Sequence, residues 1–83
     1  MKLTSLRALV AAVEEGSMRS AARRLGVSQP ALTKMIRELE RELSTTLLLR
    51  STMGVLATAQ GKVLYERSVA AGRELSHAVA QIQ

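Results

Sequence analysis

Eighty-three residues allow one small domain, and with no cysteine, no phenylalanine and a single tyrosine its core has to be assembled from Leu, Val, Met and Ala. Disulfides and thiolate metal sites are excluded, and no stretch approaches the ~20 apolar residues of a membrane span. The net charge of +5 is localised: between Gly16 and Arg37 stand five cations (Arg19, Arg23, Arg24, Lys34 and Arg37) and no acid, whereas elsewhere seven cations balance seven glutamates, so the excess has the distribution expected of a polyanion site.

The opening MKLTSLRALVAAVEEG is not expected to be a signal peptide, because Arg7 interrupts the apolar run and Glu14 and Glu15 stand where small cleavage-site residues belong. A cytoplasmic protein is the default, and the lack of cysteine fits a reducing compartment. Leu3, Leu6, Leu9, Val10 and Val13 recur at helical spacing, which predicts a first helix over residues 4–15 with Thr4 as its cap and Gly16 as its terminator. Ser17 is placed to cap a second helix whose inner face is Met18, Ala21, Ala22 and Leu25, with Arg19 and Arg23 pointing away. Gly26 ends it, and Ser28 can cap a third helix almost at once. There Leu32, Met35, Ile36, Leu39 and Leu43 form one core stripe, while Pro30, Thr33, Lys34, Arg37 and Arg41 share the opposite side. Proline is tolerated in a first helical turn, where the amide hydrogen it lacks would have had no partner.

After Leu43 the pattern changes. Two short apolar runs, Leu47–Leu49 and Val55–Ala57, separated by Arg50 to Gly54, read as a β-hairpin. From Thr58 onward the chain is helical again, with Leu64, Ala71, Leu75, Ala78 and Ile82 on one stripe and Val79 beside it. A helix of that length runs about 39 Å, against a diameter of about 25 Å for the body preceding it, so its distal half should project. The uncovered stripe points to a second chain or a missing domain, and a homodimer through this helix is the expectation.

Two short helices joined by a tight turn, the second with a polar outer face, describe a helix-turn-helix. Ala22 falls where the helices touch, and Gly26 supplies the turn. A recognition helix presents its first turn to base edges, and the residue types at that position suit the task. Gln29 offers paired donor and acceptor atoms to adenine, and Pro30 offers an apolar ring to a thymine methyl. Thr33 can meet a base or that methyl, and Lys34 can reach guanine acceptors or a phosphate. Arg37, a turn further on, suits a phosphate, and Ser28-Gln29-Pro30 serves at the same time as a helix cap.

The run LRALVAAVEEGSMRSAARRLGVSQPALTKMIRELERELSTTLLLRS, followed by TAQGKVL, resembles the N-terminal domain of LysR-type transcriptional regulators, most specifically over AARRLGVSQPALTKMIRELERELSTTLLLR. The resemblance implies a mainly α fold. It divides the chain into a winged helix-turn-helix over residues 1–57 (helix-turn-helix about 18–37, wing about 46–57) and a linker helix for dimerisation over 58–83. It also implies binding to interrupted palindromes in double-stranded promoter DNA, with Ser28, Gln29, Pro30, Thr33, Lys34 and Arg37 on the recognition helix. Ser17, Arg19, Arg50, Ser51 and Thr52 are expected as flanking and wing contacts, and Leu64, Ala71, Leu75, Ala78, Val79 and Ile82 as the dimer interface. Family members usually carry a C-terminal effector-binding domain, which is expected to be absent from this chain, so a small-molecule effector belongs only to a full-length protein.

Four positions depart from the family pattern. Leu47-Leu48-Leu49 stands where a phenylalanine is usual, Ser44 where the bend after the third helix usually has glycine, and Ala57-Thr58 where Leu-Thr closes the wing. Met53 replaces a common basic residue in the wing and cannot neutralise phosphate.

No enzyme is expected. The chain has no Asp and a single histidine, His77, which is read as a surface or dimer-seam residue. Adjacent helical carboxylates such as Glu14 and Glu15 do not share a face, and neither a phosphate loop nor a metal-ligand spacing occurs, so no cofactor and no metal are expected. An RNA reader would want more aromatic surface than Tyr65, itself read as a packing residue. The remaining alternative is a helical protein-interaction module without sequence-specific DNA binding, whose partner affinity would be insensitive to salt.

Overall fold

The computed structural model describes residues 1–83 as α1 (Leu3–Glu15), α2 (Met18–Leu25), α3 (Gln29–Leu43), β1 (Leu48–Ser51), β2 (Gly54–Ala57) and α4 (Ala59–Ile82). This is a mainly helical winged helix-turn-helix with a long C-terminal helix. α1 lies against α2, α3 and α4. Leu9, Leu32, Leu39 and Leu47 fill the centre, while Ala8, Ala11, Ala12, Ala21 and Ala22 keep the helices close. Alanine at these contacts is what lets a core without phenylalanine close, since interiors hold few voids larger than a water.

Gly16 terminates α1 as expected, but the start differs. Lys2, not Thr4, is the cap residue: its carbonyl accepts from the Ser5 amide at 3.1 Å, which closes the first turn ahead of Thr4 and leaves that hydroxyl exposed. Ser17 and Ser28 cap as read, their Oγ atoms accepting from the amides of Ser20 (3.2 Å) and Ala31 (3.1 Å), contacts each worth about 1 kcal/mol. Gly26 adopts φ +69°, and the following Val27 amide reaches back to the Ala22 carbonyl at 3.0 Å, a closure that reverses the chain between α2 and α3 within three residues. Leu43 is a correction. It belongs to the stripe by angle but is 43% exposed, because burial along α3 ends at Leu39 and the helix runs past the edge of the body.

The hairpin is tighter than the apolar runs suggested. Leu48 pairs with Ala57, Leu49 with Leu56, Arg50 with Val55 and Ser51 with Gly54, leaving only Thr52 and Met53 as the turn. Arg50 and Ser51 are therefore strand residues. Ladder pairing needs backbone groups rather than apolar side chains, so polarity alone did not mark the strand end. Val55 is buried and its amide donates to the Gly16 carbonyl at 3.1 Å, tying the wing to the α1–α2 turn. Glu40 of α3 accepts from the amides of Leu47 (2.7 Å) and Leu48 (3.3 Å), which anchors the base of the wing to the third helix.

α4 begins at a latch. The Thr58 amide donates to the Leu47 carbonyl at 2.9 Å, its hydroxyl donates to the Thr46 carbonyl at 2.7 Å, and the same oxygen accepts from the Gly61 amide at 3.0 Å. Gly61 is buried directly on this loop: a Cβ at that position would fall onto the Leu47 carbonyl oxygen, so only glycine permits the approach. Beyond the body, every residue from Ala70 to Gln83 is exposed, and the molecule extends 44 Å along its longest axis against 26 and 19 Å across.

Candidate nucleic-acid interface

The turn at Gly26 brings the first residues of α3 to the surface. Gln29, Pro30, Lys34, Arg37 and Arg41 are exposed, Thr33 is half-buried, and all six border one open, shallow concavity with no acidic residue on it. Leu32, Ile36 and Leu39 hold the opposite side of the helix in the core. Ser28 adjoins this face with its oxygen engaged as the cap, so its hydroxyl hydrogen can still donate. Neither α2 nor α3 carries an acid in its first turn, which leaves the positive ends of both helix dipoles uncompensated by the protein itself.

The basic excess needs one correction. Arg24 is not a free cation: its Nη2 meets Glu14 Oε1 at 2.8 Å and its Nη1 meets Glu15 Oε2 at 3.3 Å. The adjacent carboxylates, expected to diverge, both reach this guanidinium, because its planar fork spans them from α2. Two acids in the last turn of α1 have the wrong sign for its dipole, and Arg24 supplies the missing positive charge. Arg19, Arg23, Lys34 and Arg37 make no ion pair and remain exposed.

Tyr65 completes the cluster by donating from its hydroxyl to Glu14 Oε2 at 2.8 Å. That hydrogen bond, with Arg24 next, holds the Glu14 carboxyl below its usual range, and the same bond raises the Tyr65 phenol. The Arg24 guanidinium is raised chiefly by Glu14. The reading of Tyr65 as a packing residue missed this. No local spacing links residues 14, 24 and 65, and only the docking of α2 and α4 on α1 joins them.

The wing presents Arg50, Ser51, Thr52 and Met53 to solvent, and Met53 at its tip is 93% exposed. Ser17 uses its oxygen as the α2 cap, with Arg19 exposed beside it. Of the apolar stripe on α4, Leu64 packs partly against the core of its own chain, whereas Leu75 (53%), Val79 (52%) and Ile82 (83%) are exposed together with Ala71 and Ala78. Ala71 and Leu75 share a groove with Leu3, Leu6 and Val10 of α1, and Ser68, which also lines it, has a buried hydroxyl without a partner.

Residues 3–62 match the family described as bacterial regulatory helix-turn-helix protein, lysR family. The chain belongs to that family. It is 46% identical over 66 residues to the HTH-type transcriptional regulator TfdS of Cupriavidus pinatubonensis (strain JMP 134 / LMG 1197), a match covering 80% of this chain and 22% of TfdS. Among solved structures, the BenM DNA-binding domain in complex with catB site 1 DNA superposes with a TM-score of 0.94 at 35% identity, over 99% of this chain and 92% of that one. The CbnR DNA-binding domain–DNA complex gives 0.83 at 36% identity over the whole of both chains. The chain thus spans about a fifth of the length of relatives such as TfdS, a transcriptional regulator and not an enzyme. No helix is long and apolar enough to cross a membrane.

Proposed function

We propose that the chain is the sequence-specific DNA-binding region of a cytoplasmic bacterial LysR-type transcriptional regulator, gripping an interrupted palindrome in promoter DNA as a homodimer. The observation that carries this reading is the acid-free, exposed face that Gln29, Pro30, Thr33, Lys34 and Arg37 share at the start of α3. Set in a major groove, that face puts Gln29, Pro30 and Thr33 against base edges. Lys34 meets guanine or phosphate, Arg37 meets phosphate, and Ser28 donates its free hydroxyl hydrogen. Arg19 and Ser17 at the uncompensated start of α2, with Arg50, Ser51 and Thr52 of the wing, extend the contact along the backbone. The DNA complexes of the BenM and CbnR domains support this placement.

Residues 1–57 then form the DNA-reading body and 58–83 the dimerising helix. Its Ala71, Leu75, Ala78, Val79 and Ile82 face a second copy, and the α1–α4 groove with its unpartnered Ser68 hydroxyl lies in line with them. Leu64 is partly taken up by its own core and contributes at the margin. Any small-molecule effector acts through the longer regulator, and the DNA role needs no cofactor.

Selection of bound duplexes from a random double-stranded pool tests the whole reading at once. The expected product is a two-fold symmetric site with half-sites about 34 Å apart, bound less tightly as salt rises. Retention of every sequence equally would overturn it.

A further inference from the structure

α4 leaves the body as a lever: Leu64 packs against the core, and directed hydrogen bonds hold the helix at two places. At its root, the Thr58 latch and the contact of Gly61 with the Leu47 carbonyl fix its position. A root contact and an apolar packing contact, which has no preferred direction, do not by themselves fix the angle of a helix. The second point is Tyr65, seven residues and about 10 Å along the axis. Its hydroxyl is bound at 2.8 Å to Glu14, which is itself clasped by Arg24. Three elements meet there: the lever, the first helix, and the helix that precedes the Gly26 turn.

We infer that Tyr65 is a positioning residue that fixes the angle of α4 against the helix-turn-helix and thereby sets the half-site spacing that a dimer accepts. This rests on the DNA-binding dimer proposed above. The geometry makes the angle consequential. Ile82 lies about 25 Å beyond Tyr65 along the helix, so a pivot of ~10° displaces it by ~4 Å. That is more than the roughly 3.4 Å between successive base pairs. Two such levers joined at their distal faces would carry the error to both recognition helices. An anchor worth little in stability, as an exposed polar cluster is, can still be decisive in register.

The test uses the duplex selected by the 83-residue chain, resynthesised with its central spacer shortened or lengthened by one and two base pairs, and a duplex carrying a single half-site. The wild type should discriminate sharply among spacers. Tyr65→Phe, which keeps the ring and removes the hydroxyl, should bind the single half-site as before but lose about fivefold of the penalty for a one-base-pair shift. Glu14→Ala should broaden the preference similarly, and the double variant should add nothing further, because both changes remove one anchor. A Tyr65→Phe profile as sharp as the wild type's would overturn the inference and leave the DNA reading standing. Equal loss on half-site and full site would reduce Tyr65 to a fold-stabilising residue. A wild type indifferent to every duplex would instead remove the DNA reading and the inference with it.

Discussion

Gln29 opens α3 with its side chain in solvent, beside a proline that asks for no hydrogen-bond partner. If it reads adenine through paired bonds, Gln29→Ala should lose about 1–3 kcal/mol on the matched site and relax preference at one base pair only. Equal losses on matched and mismatched duplexes would make it a backbone contact instead. Ser44 illustrates a different kind of residue-level signal. It ends α3 at φ +50°, ψ +43°, the one non-glycine residue with positive φ. That conformation costs an L-residue about 1–2 kcal/mol, part of which glycine returns through its freer unfolded chain. Ser44→Gly should therefore raise stability by roughly 0.5–1 kcal/mol, a rise of several degrees in the thermal midpoint for a chain of this size. A lower midpoint would show that the Ser44 side chain stabilises the bend in some other way. The Ser17 and Ser28 caps and the glycines that end α1 and α2 were legible in the sequence because they act on their immediate neighbours. Gly61 was not, since its necessity arises from a carbonyl fourteen positions away in the chain.

At the level of elements, helices were readable wherever one face meets the core: α2 and α3 carry their buried residues at the spacing a helix imposes. The misreadings cluster at ends. α1 starts from the Lys2 carbonyl, Leu43 outruns the core, and the strands extend through Arg50 and Ser51, because a ladder is indifferent to the polarity of side chains facing water. α4 combines the two regimes, with Leu64 drawn into its own core and the residues after Val69 left bare. A charge in that bare stretch should act on association rather than on folding. Leu75→Glu should shift the chain to monomers in sedimentation while leaving its helical circular dichroism intact at high dilution. A dimer that survives the change would move the seam elsewhere on the helix.

Across the molecule, the cluster of Glu14, Glu15, Arg24 and Tyr65 ties together parts that local patterns treat separately, and its titration gives a signature. The Glu14 carboxyl is lowered from 4.5, so its stabilising contribution is complete above that value and disappears as pH falls through the depressed one. The Tyr65 phenol is raised from 10.0, so its contribution is complete below that value and disappears as pH rises through the elevated one. The stability difference between the wild type and Tyr65→Phe should therefore be widest near neutrality and close at both extremes. Arg24 and Arg73 are the nearby cations whose attraction to the phenolate works against its rise. Thermal melts from acid to alkaline pH would measure this, and a gap constant throughout would mean that the hydroxyl is not bound to Glu14 in solution. The basic patch itself was legible from the sequence, but the removal of Arg24 from it was not, because pairing depends on the fold.

Glu40 carries a last consequence. By receiving two amides from the base of the hairpin, one carboxylate on α3 makes helix and wing a single stiff prong pair instead of two fingers that adjust independently. In the proposed complex, a duplex whose groove widths match that fixed gauge would be engaged by both prongs at once, whereas one that is wider or narrower would offer a hold to only one of them. Sequence preference at base pairs untouched by any side chain would then come from how readily the duplex deforms to fit.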